Sequence, residues 1–108
     1  MERVELFTVV DTFQIPSLGL VVTPDFSVPN RWNNLSDVVR IVTPNGHEFE
    51  ALAQFNMTHF NIPGSGDVDK RWRIVVCLPE EKKNNVPIGS RIFVAREVRN
   101  SLSGEHAA

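Results

Sequence analysis

The stretch Phe13-Gln14-Ile15-Pro16-Ser17-Leu18-Gly19-Leu20-Val21-Val22-Thr23-Pro24 decides the fold. Two short runs rich in β-branched and aromatic residues flank a Pro/Gly segment, a pattern that predicts strand, turn, strand. Pro16 fixes its own φ and Gly19 reaches backbone angles that other residues avoid, so the chain is expected to reverse here. On the N-terminal side, residues 2–15 interleave Val4, Leu6, Phe7, Val9, Val10, Phe13 and Ile15 with Thr and charged side chains, which suits a pleated surface better than a helix. On the C-terminal side, Leu20 to Thr23 is expected to close at Pro24. Residues 24–34, with two prolines and three asparagines, predict an irregular loop.

Further along, residues 38–43 and 48–57 flank Pro44-Asn45-Gly46, where Asn-Gly supplies the positive φ of a tight hairpin turn. In the second arm Phe49, Ala51, Ala53, Phe55 and Met57 alternate with Glu48, Glu50, Gln54 and Asn56, so one face is expected to meet the core and the other water. Leu52 is the apolar exception on the wet side. Trp72, Ile74, Val76 and Leu78 mark another inward face, with Arg73, Val75 and Cys77 on its reverse. Near-continuous apolarity there predicts a central strand ending at Pro79. Residues 80–85 read as a charged solvated linker, residues 86–89 re-enter the fold, and residues 91–98 read as the last strand.

About six strands in a chain of 108 residues, with no helical period long enough to compete, predict one all-β domain. A small antiparallel β-barrel is the expected architecture, because closure removes the unpaired edges that invite aggregation; a sandwich is the alternative. The barrel is assigned to residues 1–99 and a flexible C-terminal tail to residues 100–108.

Composition narrows the function classes. A net charge of −2 disfavours a general nucleic-acid binder, which carries a basic surface. The single cysteine, Cys77, rules out an intramolecular disulfide framework and reads as a packed core thiol within an apolar strand. No basic-then-apolar leader and no run of bilayer-crossing length is present, so the expected compartment is the cytoplasm, without membrane contact. Asn34-Leu35-Ser36 and Asn56-Met57-Thr58 match the glycosylation triplet, a pattern that arises often by chance.

Read in order, several segments resemble the β-barrel second domain of translational GTPases such as elongation factor Tu. Residues 13–23 look like that domain's opening hairpin, in which a strand ending in Phe-x-Ile is followed by a glycine turn and Val-Val-Thr. Val39-Arg40-Ile41-Val42 is similar to its Val-x-Ile strand, and residues 73–78 followed by Val86-Pro87-Ile88-Gly89-Ser90 are similar to its late strand and glycine segment. Pro24 stands where those factors usually carry glycine. The resemblance implies a translation-factor-like barrel that works by contact, with no GTP hydrolysis by this domain and no individual site residue transferred.

Candidate chemistry is sparse. Gly64-Ser65-Gly66 lacks the Lys-Ser/Thr of a P-loop and is followed by Asp67 and Asp69, which repel phosphate. Those carboxylates do not form a calcium loop either, since Arg71 and Arg73 fall at later ligand positions. His47, His59 and His106 are scattered, so no metal site and no cofactor is expected. Ser36, Asp37 and His47 include the residue types of a triad, which only geometry can define. The densest basic segment is Lys70-Arg71-Trp72-Arg73, and Arg31-Trp32 offers a second aromatic–basic pair; both suit base stacking with phosphate contact. The alternative for each tryptophan is structural, Trp72 starting a core strand and Trp32 covering a barrel end. The expected function is therefore non-enzymatic protein binding, as an adaptor or inhibitor. The alternative is weak binding of tRNA or rRNA through Arg31, Trp32, Lys70, Arg71 and Arg73.

Overall fold

The structure, a computed structural model, describes residues 2–29, 32–59 and 72–103. Within them the chain forms β1 (Arg3–Thr8), β2 (Asp11–Ile15), β3 (Gly19–Ser27), β4 (Leu35–Val42), β5 (Glu48–His59), β6 (Trp72–Leu78), β7 (Arg91–Ala95) and one helix, α1 (Arg96–Ser103). The strands make a single antiparallel sheet in the order β1-β7-β4-β5-β6-β3-β2. The all-β, barrel-like architecture expected from the alternation is the one observed.

The two ends of that order are neighbours in sequence. Only Val9 and Val10 separate β1 from β2, and this corner is tied on both sides. Val9 N donates to Ser90 O at 2.7 Å and Gly89 N to Val9 O at 2.8 Å, while Val10 N donates to Thr23 O at 2.9 Å. The single strand-like run predicted over residues 2–15 is thus bent, its first half lying on β7 and its second on β3, which curls the sheet upon itself.

Alternation fills the interior. Leu20, Val22, Val39, Ile41, Phe55, Ile74, Val76, Leu78, Ile92 and Val94 are buried in one cluster. Cross-strand register brings them together: Ile41 faces both Phe49 and Ile92, and Phe55 faces Val76. Each such side chain stabilises the fold by about 1.5–3 kcal/mol relative to exposure. The predicted hairpin joins β4 to β5: Gly46 takes φ +89°, Gly46 N donates to Thr43 O at 2.9 Å, and Thr43 N donates to His47 O at 2.8 Å.

Four expectations are corrected. β3 does not stop before Pro24 but runs through it to Ser27, after a cis Thr23–Pro24 bond. Its register on β6 shifts between Val22 and Phe26, so the residue without an N–H sits where the ladder is interrupted. Phe26 then packs edge-on against Phe7, with ring centroids 5.6 Å apart. Second, β4 begins at Leu35, three residues before the expected start of the hairpin arm at residue 38. Third, β7 ends at Ala95, and Arg96–Ser103 is helical because Val98 and Leu102, four residues apart, lie on one face that packs into the core. Fourth, Met57 and Trp72, both expected on the inward face, are 40% and 51% exposed: Trp72 opens its strand, and Met57 stays exposed although it faces buried Ile74.

Candidate functional site

The same parity that sends Leu20, Val22, Ile74, Val76 and Leu78 inward sends Val21, Val75 and Cys77 outward. There they form a second buried cluster, covered by Ile15 and Leu18. Phe13 faces Val21 across the β2–β3 ladder and Val21 faces Cys77 across β3–β6, so one apolar row crosses three strands. β6 is apolar on both sides, as expected of a strand with neighbours on each edge.

Two local features shape this face. Gly19 has φ +84°, and a Cβ there would lie 2.5 Å from Pro79 Cα; only a residue without a side chain lets the turn at residues 16–18 close against the end of β6. Lys83 N donates to Gln14 Oε1 at 3.3 Å, seating the short 3-10 turn Lys83–Asn85 beside β2. Between them lies a groove of about 620 Å³ whose apolar walls are Phe13, Ile15, Val21 and Val75, with Asp25 and Lys83 at its margin. Phe13 is 47% exposed. Thr12 N donates to Asp11 Oδ1 at 2.9 Å, which occupies one backbone donor of the β2 edge.

Of the basic candidates, Arg31, Lys70 and Arg71 lie outside the described residues. Arg73 projects to the outer face, where Nε donates to Asp25 Oδ2 at 2.9 Å, a second guanidinium nitrogen reaches Asp25 Oδ1 at 3.5 Å, and a third reaches Ser27 Oγ at 3.2 Å. Its fork is already occupied by a carboxylate. Trp32 is half-buried against the inner core, its Nε1 donating to Asn34 Oδ1 at 3.1 Å, while the same oxygen accepts from Met57 N at 2.8 Å. Trp32 and Arg73 therefore sit in different surroundings, one packed on the interior cluster and one on the outward sheet face.

Toward β1, β7, β4 and β5 the outer face carries paired charges, with Val38 and Leu52 exposed among them. Arg3 pairs with Glu50 at 2.8 Å, Arg40 with Glu48 at 3.2 Å, and Arg91 with Glu5 at 3.4 Å while its guanidinium lies over the Phe93 ring. Such exposed pairs contribute about 0.2–1 kcal/mol each and leave no net charge to attract a polyanion.

Among the described residues, a second hollow of about 500 Å³ adjoins the β4–β5 turn, where the His47 ring stacks on Phe49 with centroids 5.5 Å apart. Ser36 lies near the start of β4 and His47 just past its end, roughly 20 Å away at the rise of an extended strand, so they form no nucleophile–base pair. Among the described residues no three His, Cys, Asp or Glu side chains group as metal ligands. Burial pushes the Cys77 thiol above its usual pKa, the opposite of activation. No helix among the described residues is long and apolar enough to cross a membrane.

No family model matches the chain, nor does any curated protein or solved structure. The groove is the feature that sequence reasoning missed. Its signal was present in the shared parity of Phe13, Ile15, Val21, Val75 and Cys77, on the side opposite the core residues.

Proposed function

We propose that this chain is a non-enzymatic, cytoplasmic protein-binding module, an adaptor or inhibitor that receives a partner's apolar side chains in the outward groove of β2, β3 and β6. The observation that carries this reading is the groove itself: a concave apolar surface on the wet side of the sheet, with paired charges on the strands beyond it. Hollows of this size and lining are where proteins bind ligands and partner side chains. A cytoplasmic setting accords with a lone, unoxidised Cys77. The resemblance of residues 13–23 to the opening hairpin of the translational barrel points the same way, because that barrel also acts by contact.

The occupied guanidinium of Arg73 weighs against RNA as the partner. The test is affinity capture followed by mass spectrometry, with wild-type protein and Phe13→Ser side by side, in low and moderate salt. Proteins retained by wild type, lost with the variant and insensitive to salt are expected. Capture unaltered by the variant, or recovery of RNA that falls steeply with salt, would refute the proposal.

A further inference from the structure

We infer that the groove's occupant is an extended segment of a partner protein that lays a bulky apolar side chain between Phe13 and Val75 and sets an adjacent Asp or Glu carboxylate against Lys83. This rests on the protein-binding reading above and adds the chemistry of the partner.

The two charges at the groove margin are not equivalent. Asp25 is neutralised by the bidentate Arg73, at 2.9 and 3.5 Å, so it neither repels an anion strongly nor offers a free carboxylate to a cation. Among the described residues Lys83, like Lys82 and Arg99, has no carboxylate partner, whereas Arg3, Arg40, Arg73, Arg91 and Arg96 each have one. The Lys83 backbone is held, because its own N–H donates to Gln14 Oε1, and its side chain lines the groove. An apolar floor bordered by an ammonium with no carboxylate partner among the described residues is complementary to an apolar residue beside an acidic one. Recognition through side chains is favoured at the start of β2, where the Thr12 N–H is already taken by Asp11 Oδ1.

The experiment is selection of a random nine-residue peptide library displayed on phage against immobilised wild type, Lys83→Glu and Phe13→Ser, each checked for wild-type circular dichroism. The expected result is enrichment on wild type of peptides with Leu, Ile, Phe or Met next to Asp or Glu. Synthetic copies should bind Lys83→Glu about fivefold more weakly, as loss of a rim ion pair implies, and Phe13→Ser at least about tenfold more weakly. Selection on Lys83→Glu should turn toward Lys and Arg. Enriched peptides that need Phe13 but show no acidic preference, or that ignore Lys83→Glu, overturn the acidic partner while leaving a binding groove in place. No enrichment, or binders indifferent to Phe13→Ser, overturns the protein-binding reading as well. Concentration-dependent dimerisation in sedimentation, abolished by Phe13→Ser, assigns the groove to a second copy of the chain and also overturns the inference.

Discussion

Replacing Gly19 by alanine should be among the most damaging small substitutions in the molecule, and the structure separates its cost into two parts. The backbone at φ +84° is one that an L-residue occupies at a cost of about 1–2 kcal/mol. Independently, the new Cβ would lie 2.5 Å from Pro79 Cα, 2.7 Å from Leu78 O and 2.8 Å from Pro79 O. All three contacts are backbone atoms, so no side-chain rotation relieves them, and the β2–β3 turn must lift from the end of β6. Such overpacking costs about 1–3 kcal/mol more. Gly46 supplies the control: its φ of +89° is comparable, yet a Cβ there meets nothing within 4 Å. Gly46→Ala should therefore lose only the conformational part. At roughly 4 °C per kcal/mol for a domain of this size, Gly19→Ala should lower Tm by about 8–20 °C and Gly46→Ala by about 4–8 °C. Urea titration followed by far-ultraviolet circular dichroism, with Tm from thermal scans of the same samples, gives both values. Equal losses for the two variants, or a Gly19→Ala protein within 1 kcal/mol of wild type, would refute the close approach of the β2–β3 turn to the end of β6.

Two further outcomes follow from the packing. Leu102→Ala should cost about 2–3 kcal/mol in the same urea titration, because Leu102 is 7% exposed and anchors α1 on the sheet; an unchanged midpoint would mean that the helix is not part of the fold. Cys77 should resist a water-soluble thiol reagent in the native protein and react on unfolding. Since its folded-state pKa is raised above 9.0, the neutral thiol favours the folded state; its contribution is complete below pH 9.0 and is lost as pH rises beyond it. Cys77→Ala should flatten that alkaline loss, and a variant that keeps the wild-type slope would remove Cys77 as its cause.

How much of this was legible can be judged residue by residue. The β4–β5 hairpin could be read because its determinants are local: Asn45-Gly46 sets the turn, and the spacing of Phe49, Ala51, Ala53 and Phe55 sets the face. Helix α1 was overlooked although Val98 and Leu102 carry its spacing, because the β-branched run Ile92–Val94 flows into it without a proline or glycine stop. β3 was cut short at Pro24, since a missing N–H argues against a strand unless its position coincides with a break in the ladder. For the candidate site, the chain showed basic and aromatic residues but not their partners. That Arg73 would be held by Asp25, 48 positions away, has no local signature.

Sequence alone determined the class of the protein. Two-residue alternation with turn-forming glycines and prolines fixes which side chains share a face, because successive residues of a strand must point to opposite sides. Which of those faces would be covered was a tertiary decision. The bend at Val9–Val10, the close seating of Gly19 on Pro79 and the docking of residues 83–85 beside β2 bring segments far apart in the chain onto one outward surface. They bury Cys77 and Val75 there and leave Phe13 and Lys83 facing water. Burial depends on what arrives from elsewhere in the chain, and no window of neighbouring residues contains that information.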